Sequence, residues 1–450
     1  MFNSFQISSA SRTTILLLSI ACLTTTVSAE KNPLYPLLEW RTLDRFQESL
    51  TESDFRDRLK IFSPDGSINE FLTFHDDHSV TVFETPAKEI AIWTLRFYRE
   101  PDSSPPSHRT DKFSPQHIAT LFDVSYAKPL KGLTIAIDPG HIGGAWANIE
   151  ERHFKYKSYP PVQEGDLTLI TAEHLATALK SAGATVILTR TEAEPVTTLR
   201  PQDFLHDSLE WAADTTRGFS DRYFTFRYKW YSQFLFYRVA EIAARAQLLA
   251  KYQPDFTLCL HYNAAPWSGR RPRLFNVQKL VTFVHGSYLK EEIESPTQKF
   301  ELFKKLFENS TPIEIEIADV VSSKMAERLQ MKPENYTDWK AADRVSENPY
   351  IWSRNVIANR EIPGPVIFLE GLYMNDRESF YRIQAGDYEG LKTIRGKSHP
   401  SVFREFAQAT ADGIIEHYRE KYDLTAPPEA SLPTLPEDET ATPDQVTSQS

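Results

Sequence analysis

Two histidines and a glutamate stand where three apolar runs stop. LTIAI (133–137) leads into Asp138, Pro139, Gly140 and His141; FTLCL (256–260) runs straight into His261; VIFL (366–369) runs straight into Glu370. A second glutamate, Glu164, opens the helix-like stretch EGDLTLITAEHLATAL. Imidazole nitrogens and carboxylate oxygens drawn from separate elements are the materials of a zinc site. A catalytic zinc takes three protein ligands and keeps a fourth position for water. A further carboxylate beside it takes the proton of that water as it attacks a polarised carbonyl.

Each of these residues also has an ordinary role. A single histidine at a strand end is more often a surface or hydrogen-bonded core residue than a ligand. An acid in the first turn of a helix is favoured by the macrodipole alone. Glu150, Glu151 and His153, in the intervening loop, are rival ligands with no following helix to hold them rigid. The glycines of PGHIGG admit a phosphate cradle, but no P-loop lysine follows and there is no Gly-x-Gly-x-x-Gly pattern.

Residues this far apart in the chain meet only if a sheet gathers them. From 128 to 424 apolar strand runs (LTIAI, TVILT, FTLCL, PVIFLE) alternate with helical stretches near 167–182, 238–251, 318–330 and 403–422. This alternation predicts an α/β fold, a mostly parallel twisted sheet with helices on both faces. In such sheets function collects in the crevice beyond the carboxyl ends of the strands, and the three polar strand ends then share one rim.

The flanking regions differ in kind. Residues 30–100 combine a charged helical pattern with the strand-like runs HSVTVFE and IAIWTLRFY and predict a small α+β N-terminal domain. Residues 101–127, rich in proline, serine and charge, read as a linker. Residues 425–450 hold no aromatic, lysine or arginine side chain and are predicted to be disordered.

At 450 residues and 41% hydrophobic composition the chain has material for a large core. With 61 acidic against 50 basic side chains the formal charge is −11, a field that repels phosphate backbones and argues against nucleic acid as a partner. At the start, Arg12 precedes an apolar stretch (15–23) that ends on Val27, Ser28 and Ala29. That is the layout of an export signal over residues 1–29, and the stretch is too short for a permanent membrane anchor. Lipidation of Cys22 is an alternative, though the preceding Ser19-Ile20-Ala21 lacks the usual opening leucine. Cleavage at Ala29 leaves Cys259 alone, in an apolar run, so no intrachain disulfide forms.

Taken together, these segments resemble the zinc-dependent N-acetylmuramoyl-L-alanine amidases of the Amidase_3 type, in the right order over roughly 130–424. IAIDPGHIGG is similar to that family's Asp-Pro-Gly-His-Gly-Gly strand end, with Ile142 as an extra residue. EGDLTLITAEHLATALKSAGATVILTR is similar to the ligand glutamate, its helix and the next strand. RAQLLAKYQPDFTLCLHYNA resembles the arginine-led helix and the strand reaching His-x-Asn-Ala, and VIFLEGLYMND the segment of the catalytic glutamate. The resemblance implies that His141, Glu164 and His261 hold Zn2+ and that Glu370 is the general base. It also implies Asn263, Asn375 and Arg245 as substrate-side residues. The implied reaction is hydrolysis of the amide between N-acetylmuramic acid and the L-alanine of the peptidoglycan stem peptide, in wall remodelling or daughter-cell separation. The implied setting is the periplasm or cell envelope.

Two segments exceed this pattern. Residues 200–237 are dense in aromatics and arginines, either a packed subdomain or a wall of the substrate cleft. Residues 285–317 read as a solvated, charged helical insertion. Some members of the family carry an inserted helix here that occludes the metal until an activator protein displaces it, and deletion of 286–316 is then expected to raise activity. Two other functions remain open: a zinc deacetylase or peptidase on the same polymer, and an inactive wall-binding scaffold. The intact set of four site residues argues against the scaffold.

Overall fold

The computed structural model describes residues 39–99, 124–266 and 272–426. The export signal with Cys22, the linker as far as residue 123 and the tail from 427 lie outside these residues. No helix among the described residues is long and apolar enough to cross a membrane.

The N-terminal unit begins with a helical stretch cut in two. Thr51 accepts a hydrogen bond from the Asp54 amide, and the Asp54 carboxylate accepts one from the Thr51 amide. This capping box starts α1 (Glu52–Phe62) afresh after a 3-10 turn at Trp40–Phe46. Three antiparallel strands follow, β1 (Leu72–His75), β2 (Ser79–Phe83) and β3 (Ala91–Arg96). The α+β expectation holds here, with β1 an addition to the two strands read from sequence.

The larger unit is built on an eight-stranded sheet. Its principal strands are β4 (Thr134–Pro139), β5 (Thr185–Leu188), β6 (Phe256–Asn263), β7 (Lys279–His285), β8 (Ile351–Arg354) and β9 (Val366–Tyr373). They run in the order β8-β7-β9-β6-β4-β5, and two-residue strands at Asp343–Arg344 and Lys332–Pro333 pair with β8 and β7. Neighbours are parallel except where β7 meets β9 and where Asp343–Arg344 meets β8. The sheet is therefore mostly parallel, with β7 and β8 entering in the opposite sense.

Strand alternation sorts the two faces. Ile135, Ile137, Leu258, Leu260, Ile367 and Leu369 point into one core, covered by α2 (Glu164–Ser181), α7 (Thr311–Leu329) and α10 (Val402–Lys421). Ala136, Cys259, Val366 and Phe368 point into the other, with α5 (Glu241–Tyr252) and α8 (Ile357–Glu361). Helices thus cover both faces. Asp138, His261 and Glu370 belong by the same alternation to the second face, at its upper edge.

Between β5 and α5 the aromatic segment forms a helical hairpin, α3 (Leu205–Thr215) and α4 (Asp221–Phe234). Trp211 stacks on Tyr231 at 4.2 Å, and Arg227 lies over the Trp211 ring at 4.5 Å. A π-helical turn, Leu235–Ala240, joins α4 to α5.

The 285–317 segment departs from expectation. Its helix α6 (Pro296–Glu308) buries Leu302, Phe303, Leu306 and Phe307 among Phe55, Leu59, Val80 and Leu95 of the N-terminal unit. It is part of a shared core and neither a solvated helix nor a cover over the strand rim. Its lysines give a solvated pattern in sequence, yet their ammonium groups bond inside the protein. Lys299 donates to the Glu84 carbonyl at 2.6 Å and Lys305 to the Gly364 carbonyl at 2.9 Å. Burial pushes the Lys299 ammonium down to about 8.

Candidate metal centre

Strands β4, β6 and β9 lie side by side, so the three polar strand ends do share a rim. His261 and Glu370 are partners in the β6–β9 register, and Asp138 is the partner of Cys259. Both site residues sit inside their strands, which continue to Asn263 and Tyr373 rather than stopping at the last apolar residue. Glu164 arrives from the opposite face: it is the first residue of α2, and the small pairing of His153–Phe154 with Val162–Gln163 delivers the chain to it. That excursion fills the long gap after His141.

The result is one cluster. His261 Nδ1 lies 3.0 Å from Glu164 Oε1, and His141 Nε2 lies 3.4 Å from Glu164 Oε2. The imidazole centroids are 5.0 Å apart. Among the described residues, His141, Glu164 and His261 form the group able to hold a metal ion, their donor atoms all within 4.8 Å of one another. Two nitrogens and one carboxylate oxygen suit zinc and similar borderline cations. Asp138 belongs instead to the frame beneath them.

Glycines make the approach possible. A Cβ on Gly140 would come within 2.3 Å of His261 Cε1, and one on Gly165 within 2.2 Å of the Gly143 nitrogen. The turn after β4 can therefore press against His261 on one side and the start of α2 on the other. His141 itself has φ 58, a left-handed conformation costly for a side chain with a Cβ. Several bonds hold it there. Arg245 donates to the His141 carbonyl at 2.9 Å and to the Pro139 carbonyl at 2.8 Å, and pairs with Asp138 at 3.0 Å and Glu241 at 2.8 Å. Arg190 donates to the Pro139 and Gly165 carbonyls.

This geometry gives two of the expected substrate-side residues a further role. Arg245 is 3% exposed and lines the cleft, and its guanidinium is bonded to the turn that carries His141. Asn375 is fully buried: its amide exchanges two hydrogen bonds with the backbone of Ala265, fixing the chain after β6. Asn263 does face the cleft, its Oδ1 accepting from the Ala264 amide.

Glu150, a rival ligand by sequence, has another place. Its buried carboxylate accepts the Ile142 and Gly143 amides and lies 3.4 Å from His141 Nδ1, behind the ring as seen from Glu164. A carboxylate in that position fixes the ring and its tautomer. His153 turns its Nδ1 toward the Ala147 carbonyl at 3.3 Å.

The cluster floors a cleft of about 470 Å³. Glu370 lines it, and so do Arg152, Tyr237, Arg238 and Arg354. The sequence reading named neither Arg152 nor Arg354; nothing in spacing marks a lone arginine as a cleft wall. The tip of the aromatic segment, by contrast, reaches the cleft through Tyr237 and Arg238, so the segment is both packed subdomain and wall. Among the residues lining this cleft none comes from 286–316.

Burial dominates the electrostatics. It holds His141 well below the usual imidazole range, which keeps a nitrogen lone pair available for a metal. Burial also pushes Glu164 up, but the charges of His141 and His261 and the hydrogen bond from His261 overcome it, so the carboxylate titrates below its ordinary value. Glu370 moves the other way: burial raises it, with Glu164 adding to the rise and His261 opposing it.

Residues 135–394, more than half the chain, match the Amidase_3 family, described as N-acetylmuramoyl-L-alanine amidase. The chain belongs to the Amidase_3 family. This Amidase_3 chain is 48% identical over 67 residues to the probable cell wall amidase LytH of Staphylococcus aureus. That stretch is 14% of this chain and 20% of the relative, so the match spans about a fifth of the curated protein's length. Among solved structures it is similar to the N-acetylmuramoyl-L-alanine amidase from Clostridium difficile 630, at 16% identity and TM-score 0.36, over 64% of this chain and 98% of that one. It is also similar to the amidase Ami1 from Mycobacterium smegmatis, at 12% identity and TM-score 0.36, over 65% and 99% of the two chains.

Proposed function

We propose that this Amidase_3 chain is a zinc hydrolase that cleaves the amide between N-acetylmuramic acid and the L-alanine of the stem peptide in peptidoglycan. The observation that carries this reading is the convergence of His141, Glu164 and His261 on the floor of a cleft, with Glu370 in register beside His261. In this reading His141, Glu164 and His261 are the zinc ligands and Glu370 is the catalytic acid–base.

Zinc held by these three side chains supplies Lewis acidity toward the scissile carbonyl and the attacking water. The chain supplies the rest. Glu370, raised by its burial, takes the proton of the attacking water and returns it to the departing alanine nitrogen. Asn263 orients the substrate amide from the cleft floor, and Arg238 and Arg354 stand where carboxylates of the substrate are paired. Arg245 holds the turn that carries His141, and Asn375 holds the chain after β6.

The leader over residues 1–29 supports export, and peptidoglycan as substrate supports action at the cell envelope or periplasm. The N-terminal unit is joined to 285–317 by a common core. An activating partner, if it acts through 285–317, works through this body and not by baring the cleft. The test is digestion of purified peptidoglycan with product analysis. Release of stem peptides with a free alanine amino terminus is expected; free acetate or peptides cut internally would instead identify a deacetylase or a peptidase.

A further inference from the structure

A second cavity, of about 720 Å³, opens where β7 begins and where α9 (Arg377–Gln384) starts. Lys279, Lys332, Arg377, Arg395 and Lys397 line it. The lining carries two carboxylates, and both are engaged. Asp376 caps α9 by accepting the Glu378 and Ser379 amides, and Glu378 lies 3.7 Å from Lys397. Lys332 has no carboxylate partner among the described residues, and Arg395 rests over the Tyr381 ring at 4.8 Å from a left-handed backbone position at the tip of the 392–399 hairpin.

Surface cations are ordinarily solvated and carry no message. Here five of them wall one concavity in a chain whose formal charge is −11, so the local field has the sign opposite to that of the whole molecule. The cavity's position adds direction. Val281 is the register partner of Glu370, and Lys279 lies two residues earlier on the same face of the sheet, about 7 Å along the strand. Lys279, one of the lining residues, thus lies on the strand next to the proposed acid–base, two residues from its register partner. Lys279 is tied to Glu334 at 2.6 Å, and Glu334 in turn accepts from the Tyr373 hydroxyl.

We infer that this cavity binds the carboxylates of an acidic peptide, the stem peptide of the strand being cut. The inference rests on the amidase reading for the identity of the peptide, though not for the chemistry of the pocket. Lysine and arginine pair with carboxylates, while the metal cleft takes the amide itself.

The test uses the full chain loaded with zinc and two synthetic peptides: one opening with alanine and carrying two free side-chain or terminal carboxylates, the other fully amidated. The double variant Lys332→Glu/Arg395→Glu changes two exposed residues outside the metal cleft. The expected result is about tenfold weaker binding of the free acid by the variant, and a similar loss on amidation of the peptide for the unaltered chain. On peptidoglycan the variant should show a raised KM with kcat unchanged. Equal binding of both peptides, tighter binding of inorganic phosphate than of the acidic peptide, or a fall in kcat alone would overturn the assignment. Carboxylate-dependent binding without any amide hydrolysis would sink the amidase reading and leave the pocket chemistry standing.

Discussion

Glu370 and His261 occupy partnered positions in adjacent parallel strands, so a proposed metal ligand and the proposed acid–base are locked by one hydrogen-bonded ladder. Phe368, two residues before Glu370, stacks on the His261 ring at 4.2 Å. The distance between the two functional groups is therefore a property of the sheet and not of any loop.

The close turn at Gly140 should be intolerant of any side chain. In Gly140→Ala the added methyl meets the His261 ring at 2.3 Å. Overpacking of this kind costs about 1–3 kcal/mol, and the displaced imidazole should weaken metal binding by at least about tenfold. Denaturant unfolding and competition with a chelator measure the two effects separately.

Arg245 should behave as a structural residue. Removing it in Arg245→Ala leaves Asp138 and Glu241 buried without their partner, a loss of about 3–5 kcal/mol. Lysine should restore little of it, because one ammonium cannot span two carboxylates and two carbonyls. Urea titration of both variants checks this; a substrate-binding role predicts normal stability and a raised KM instead.

The 285–317 segment should prove indispensable to the N-terminal unit. Phe303→Ala is expected to cost about 3–5 kcal/mol, since Phe303 is fully buried among residues of that unit. Deletion of 286–316 should give a chain whose N-terminal unit is protease-sensitive, with no gain in activity on isolated cell walls. A folded deletion protein with raised activity would restore the occlusion account.

Acid should loosen the joint between α7 and α10. Glu316 is held at about 2, first by His417, whose Nε2 lies 2.9 Å away, and, against burial, by Lys421. A depressed carboxylate stabilises the fold fully above its ordinary value of 4.5 and loses that contribution as pH falls through about 2. The group is partly exposed, so solvent screening leaves about 1 kcal/mol. Glu316→Gln should flatten the decline in stability between pH 4.5 and pH 2; an unchanged slope would show that the pair contributes nothing.

Much of this was legible in the residues, and the reasons are specific. LTIAI, FTLCL and VIFL are apolar enough to be central strands, and order along the chain places the polar residue after each at one rim. Strand direction is not encoded in such runs, which is why the reversed entry of β7 against β9 could not be read. Arg245 and Asn375 carry groups that bind ligands as readily as backbone, and only the fold reveals their bonds to Asp138 and Ala265. Lys299 and Lys305 look solvated because a lysine's use of a distant carbonyl leaves no trace in local pattern.

The most direct test is metal content measured alongside activity in the unaltered chain and in Glu370→Gln and His261→Ala. One zinc per chain is expected in the unaltered protein and in Glu370→Gln, with amide hydrolysis reduced about 10²- to 10⁴-fold in the latter. His261→Ala should lose both metal and activity. Retention of zinc without His261, or undiminished hydrolysis without the Glu370 carboxylate, would contradict the assignment of this cluster as the catalytic centre.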